Sequence, residues 1–205
     1  MKLELYADVL CPWCYIGKRR LASALANHPG RDDIEIAWRA YELSPDESRT
    51  PGRTAAQAMT GWWGDQAPAR AEQIRSLGAA EGLKLNLHLA RPVNTFDAHR
   101  LVKLAAGHGR ADRMMELLLH AYHTEGRNVA DPQVLLRLGA EAGLDAGEVR
   151  AVLSGEAYAG DVRADRRRAA EHGVTGVPSL VVDGRPPVPG VQPVADLRRL
   201  LEHPG

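Results

Sequence analysis

Apolar and polar residues alternate from Lys2 to Asp8 with no Pro or Gly between them, and this period-two pattern predicts a strand. The period then changes. Ile16, Leu21 and Leu25 fall at helical spacing between Trp13 and Leu25, and Pro12 stands just before them, in a first turn whose N–H has no intrahelical partner to lose. Pro29-Gly30 ends this helix, and Ile34 to Tyr41 alternates again as a second strand, so the chain opens β-α-β with a connection suited to a parallel crossover. Ser44-Pro45-Asp46 and Thr50-Pro51-Gly52 make a turn-rich exit. From there to about residue 172, Ala, Leu, Arg and Glu recur at helical spacing, which predicts helices over 53–61, 67–81, 95–107, 111–124, 131–142, 145–153 and 155–172. Asp131-Pro132 is a start signal, and Gly107, Gly126 and Gly143 punctuate the ends. Leu180 to Arg185 reads as a strand entering a turn, Pro186 to Val191 as a short edge strand, and Val194 to Glu202 as a closing helix. The fold class is therefore α/β, ordered β-α-β … β-β-α, with a large all-helical insertion after the second strand. Segments 1–45 and 173–205 form the sheet unit, and 46–172 the insertion.

Composition narrows the function classes. The 26 basic and 26 acidic residues cancel, and no basic tract interleaved with aromatics points to nucleic acid. No stretch approaches the roughly 20 apolar residues of a membrane span. Met1 leads straight into the first strand with no apolar leader, which implies a cytoplasmic protein.

The chain has 2 cysteines, and they are Cys11 and Cys14. A stapled secreted scaffold would spread more of them along the sequence. A Cys-x-x-Cys pair at a helix N-terminus supplies an attacking thiolate, a leaving sulfur and a resolving thiol one turn away, with the helix dipole favouring the first sulfur as an anion. On this reading Cys11 is the exposed attacking thiol and Cys14 the buried resolving thiol, while Pro12 and Trp13 form the rim that meets substrate. Half of a zinc site is the main competing reading, but zinc needs four ligands and no second Cys or Cys/His pair accompanies this one. Two inert packed cysteines are the other.

Cys11-Pro12-Trp13-Cys14-Tyr15-Ile16-Gly17-Lys18 is one of several segments that together resemble the DsbA-like thioredoxin family, in its FrnE-type cytoplasmic branch. The others are Trp38 to Pro45, Asn94-Thr95-Phe96-Asp97-Ala98-His99-Arg100-Leu101, Gly173 to Ser179, and Val188-Pro189-Gly190-Val191-Gln192-Pro193. The resemblance implies a thioredoxin-like fold with a helical insertion and a dithiol oxidase, reductase or isomerase acting on protein or small-molecule disulfides and thiols. It also implies a cis peptide at Val177-Pro178, facing the cysteines and docking substrate. Homodimers would fit the family. No metal or separate cofactor is expected, the redox-active disulfide serving in that role, while glutathione stays open as a co-substrate. Kappa-class glutathione transferases and 2-hydroxychromene-2-carboxylate isomerases share the architecture but usually carry Ser at the Cys11 position. That leaves a glutathione-dependent transferase or isomerase of small aromatic compounds as the alternative, and a redox-gated binding protein as a third reading.

Other residues have two readings each. Asn94 could face the cleft or simply cap a helix. His120 and His123, at i and i+3, could share a metal face, although a solvated or packed pair is the plainer account. Trp62-Trp63 could line a groove or pack between insertion helices.

Overall fold

The computed structural model describes residues 1–26 and 28–202. The final three residues of the 173–205 segment thus lie outside the described residues. Four strands form one sheet, β1 (Lys2–Ala7), β2 (Glu35–Ala40), β3 (Ser179–Val182) and β4 (Val188–Pro189), in the order β2-β1-β3-β4. β1 and β2 run parallel, with Leu5 opposite Trp38, and β3 runs antiparallel to both β1 and β4. Helix α1 (Pro12–Leu25) joins the parallel pair, and α9 (Val194–Glu202) packs against α1.

The alternation in β1 suggests one wet face, yet Glu4 and Tyr6 are as buried as Leu3 and Leu5. Leu3 and Leu5 join the main core with α1. Tyr6 faces a smaller cluster with Ala169, Val174 and Val181. Glu4 is tolerated there because Arg39 donates to it from the neighbouring strand at 2.6 Å. Asp165, in the helix Ala159–Glu171, pairs with Arg39 at 3.3 Å and accepts the Ala40 N–H at 2.7 Å, so a buried charge is met by charge and hydrogen bonds together.

Between β2 and β3 the insertion runs as α2 (Ala55–Trp63), α3 (Ala67–Ala80), α4 (Phe96–Gly107), α5 (Ala111–His123), α6 (Pro132–Glu141), α7 (Ala146–Ser154) and α8 (Ala159–Glu171). α4 and α8 pack on each other and on β2, and Met114, Met115, Leu118 and Leu119 bury the inner face of α5 in a core continuous with the sheet unit. The helix expected from residue 155 starts only at Ala159, because Tyr158 takes a left-handed backbone (φ 63°). Arg100 holds this break, its guanidinium donating to the carbonyls of Val152, near the end of α7, and of Gly155 and Ala157 just after it. α1 is tied to α5 by Lys18, which lies 3.0 Å from both Asp112 and Glu116, and by the Tyr15 hydroxyl, which donates to Glu116 at 2.7 Å. No helix among the described residues is long and apolar enough to cross a membrane.

Candidate active site

The turn from β1 into α1 sets the cysteines. The Cys11 N–H bonds the Asp8 carbonyl at 3.2 Å, and the Cys14 N–H bonds the Cys11 carbonyl at 3.0 Å. Cys11 is the N-cap residue with extended backbone (φ −86°, ψ 110°), Pro12 follows in the first turn, and that turn holds no acidic residue. The positive end of the helix therefore sits beside the Cys11 sulfur with no first-turn carboxylate to offset it.

The Val177-Pro178 peptide is cis, and the Cys11 thiol donates to the Val177 carbonyl at 3.6 Å. Two glycines allow α1 and this loop to meet. A Cβ on Gly17 would fall 2.7 Å from the Gly190 oxygen, and one on Gly190 would fall 2.8 Å from Pro178 Cβ. The Gly190 N–H in turn bonds the Pro178 carbonyl at 2.8 Å.

Both cysteines are free thiols. Cys11 is not the exposed thiol expected: it is 4% accessible and Cys14 2%, because the insertion closes over the helix end. What separates them is direction. Cys11 faces a cleft of about 250 Å³, whereas Cys14 faces a narrow space behind α1 with Tyr6, Gly17, Pro178 and Leu180. Burial pushes the Cys14 thiol well above its usual range, and its hydrogen bond with Cys11 adds to this.

Pro12, Trp13 and Val177 line the cleft from the sheet unit, and Met59, Trp62, Trp63 and His123 line it from the insertion. The tryptophan pair is not simple interhelical packing: Trp62 is 59% accessible at the cleft mouth and meets Trp63 edge-to-face at 6.0 Å. Asn94 stands apart from the cleft lining. Its amide donates to the Pro45 carbonyl at 2.7 Å and its oxygen accepts the Phe96 N–H at 3.0 Å, so it ties the start of α4, whose N-cap residue is Thr95, to the exit from β2. His120 and His123 do not share a metal face, because His120 is exposed near Glu125 while His123 turns inward. Among the described residues no group of three or more His, Cys, Asp or Glu could hold a metal.

Asp8 and His99 stand far apart in the sequence, and only the fold joins them. Asp8 is fully buried beneath the cysteine turn, accepts the Leu43 N–H at 2.7 Å and lies 3.2 Å from His99 Nε2. In the sequence His123 stands out only by its i, i+3 spacing from His120. Its ring packs between Tyr122 (4.8 Å) and Tyr15 (6.2 Å), and burial lowers its pKa to about 4.

A cysteine pair at a helix N-terminus facing a cis-proline loop, with helices roofing the cleft, defines the class of DsbA-like thioredoxin-fold proteins. The chain belongs to that family: the DSBA-like thioredoxin domain matches residues 2–202. It is similar to the crystal structure of the probable DsbA oxidoreductase SCO1869 from Streptomyces coelicolor, at 39% identity and TM-score 0.91, covering 98% of this chain and 88% of that one. It also resembles the uncharacterized protein YwbO of Bacillus subtilis (strain 168), 24% identical over 92% of this chain and 89% of the relative. The cytosolic disulfide reductase DsbM from Pseudomonas aeruginosa, solved with GSH, shares the fold at 22% identity and TM-score 0.69, over 98% of each chain.

Proposed function

We propose that the protein is a dithiol–disulfide oxidoreductase in which Cys11 attacks a substrate disulfide or thiol adduct and Cys14 resolves the mixed disulfide. The observation that carries this reading is the placement of Cys11, at the N-cap of α1 on the cleft floor and 3.6 Å from the carbonyl of a cis-proline loop. A substrate sulfur entering over Trp13 reaches Cys11 first. The Val177 backbone is placed to pair with an extended substrate, and Cys14 waits one turn behind, kept as a neutral thiol by burial until the mixed disulfide forms. The protein works in the cytoplasm on disulfide- or thiol-bearing proteins or small molecules, as a monomer or a homodimer, with the Cys11–Cys14 pair as its only redox group. The expected outcome is that Cys11→Ser abolishes insulin reduction and disulfide exchange, while Cys14→Ser accumulates mixed disulfides visible by mass spectrometry. Unchanged turnover in the Cys11 variant would sink the assignment. Direction follows from the reduction potential of the pair, since about 30 mV is worth roughly 1.4 kcal/mol for a two-electron couple.

A second reading, glutathione as co-substrate, is favoured by the GSH-bound structure of DsbM. It requires glutathione-saturable activity that survives Cys14→Ser.

A further inference from the structure

A second cavity, of about 630 Å³, shares no lining residue with the Cys11 cleft. It lies between the C-terminal half of α1, the start of β2 and the corner joining α4 to α5. Its volume falls within the roughly 300–1,000 Å³ of small-molecule sites. Leu5, Leu21, Leu25, Ile34 and Ile36 make its interior aliphatic, and Trp38 is the one aromatic ring among its described lining residues. The space stays open because the residues at its mouth are too small to fill it. Ala22 and Ala26 on α1 and Ala106 and Gly109 at the corner are exposed, and a Cβ on Gly109 would meet nothing beyond its chain neighbours within 4 Å. An alkyl chain entering this space would leave water for aliphatic walls, which is favourable in proportion to the area removed.

Three charged side chains line the cavity among the described residues, and two of them answer each other. Lys18 is buried and lies 3.0 Å from both Asp112 and Glu116, so its charge is already met. Arg31, in the 3-10 turn Arg31–Asp33 that leads into β2, is exposed and pairs with no carboxylate among the described residues. Its neighbours Asp32 and Asp33 do not line the cavity. The uncompensated lining charge is therefore one guanidinium, whose planar fork matches a carboxylate.

We infer that this cavity binds a free aliphatic monocarboxylate, with the alkyl chain against the leucine and isoleucine side chains and the carboxylate at Arg31. The site is separate from the cysteine pair and does not depend on the oxidoreductase reading. Binding is non-covalent, and the aliphatic walls favour a straight or branched alkyl chain over an aromatic acid.

The test is isothermal titration calorimetry of the full chain with hexanoate, octanoate and decanoate at pH 8, each kept below its micelle concentration. Binding should be one-to-one and tighten by about two- to fourfold per added methylene, as burial of an alkyl chain demands. Arg31→Gln should weaken octanoate by about threefold, in the range of an exposed ion pair, and leave 1-octanol unchanged. Ala22→Trp and Ala106→Phe place large side chains at exposed positions of the mouth, and each should weaken decanoate by about tenfold or more with the circular dichroism spectrum of wild type. Trp62→Ala, in the Cys11 cleft, should leave decanoate binding intact. No saturable binding, an affinity flat with chain length, or an equal effect of Arg31→Gln on octanoate and 1-octanol overturns the inference. So does loss of binding in Trp62→Ala with both mouth variants still binding, which would move the ligand to the Cys11 cleft. Phosphatidylglycerol vesicles that carry down wild type but not Ala106→Phe, with no binding of free decanoate, would overturn it in favour of a membrane lipid. Should the mouth variants fail to fold, the chain-length series and Arg31→Gln decide.

Discussion

Adding one methyl group at Gly17 should weaken both the fold and the active site, although the same change elsewhere in a helix strengthens it. Gly costs about 1 kcal/mol relative to Ala inside a helix, and Gly61 in α2, whose Cβ would meet only the tip of Arg53 at 3.5 Å, should show that gain as Gly61→Ala. At Gly17 the new Cβ lands 2.7 Å from the Gly190 carbonyl oxygen and 3.3 Å from Pro178 Cγ. Neither neighbour can retreat cheaply. The oxygen belongs to backbone held by the Gly190 N–H to Pro178 carbonyl bond at 2.8 Å, and Gly190 is already pressed on Pro178. Overpacking of this kind costs about 1–3 kcal/mol, and the upper part of that range applies because the clash is with main chain. After the helix gain is subtracted, Gly17→Ala should lose about 1–2 kcal/mol. Urea unfolding followed by tryptophan fluorescence should show a midpoint lower by roughly half a molar, given a slope near 2–3 kcal/mol/M. Relief of the clash moves the cis-proline loop off α1 and lengthens the Cys11 to Val177 contact, so disulfide exchange should also fall, by about tenfold in kcat/KM. A Gly17→Ala protein that gains stability as Gly61→Ala does, and exchanges disulfides normally, would refute the claim that this approach positions the loop.

Three further outcomes follow from the buried charges and thiols. Glu116 is shielded from water, which alone would raise its pKa, but Lys18, Tyr15 and Arg19 outweigh burial and lower it. A depressed folded-state pKa contributes stability above the unfolded value, lost as pH falls through the folded one. Glu116→Gln should therefore cost about 1–2 kcal/mol at pH 7, with the gap from wild type narrowing at pH 3.5 in urea titrations. A gap that widens in acid would contradict this. In Cys11→Ser the remaining Cys14 thiol stays buried and protonated at pH 8, so iodoacetamide should label it at less than about a tenth of its rate in urea. Equal rates would show that Cys14 is reached from solvent. Asp165→Asn leaves Arg39 and Lys103 facing each other where α8 meets β2, and chemical denaturation should register a loss of about 3–5 kcal/mol. A loss below about 1 kcal/mol would mean that the cluster is hydrated.

The order of elements and the cysteine pair at the start of a helix were legible in the sequence because both rest on local rules. Period-two and period-3.6 patterns, Pro12 in a first turn, and Asp131-Pro132 each act over a few residues, and the observed elements follow them closely. The departures lie where distant residues intervene. Glu4 looked solvent-facing until Arg39 and Asp165 arrived from β2 and α8 to bury it, and helix α8 starts late because Arg100 takes the carbonyls before it. In the site, Cys11 and Cys14 were readable from a spacing, but their different surroundings are a matter of direction, set by the insertion that covers both and leaves Cys11 on the cleft and Cys14 behind α1. Asn94 had two readings, and its side chain bonds Pro45 and Phe96 just before α4 and does not line the cleft. His123 stands far from Cys11 in sequence and enters the cleft only because α5 packs under α1. Helix periodicity tells which face of α5 is buried; only tertiary packing decides that one residue of that face borders a thiol instead of a leucine.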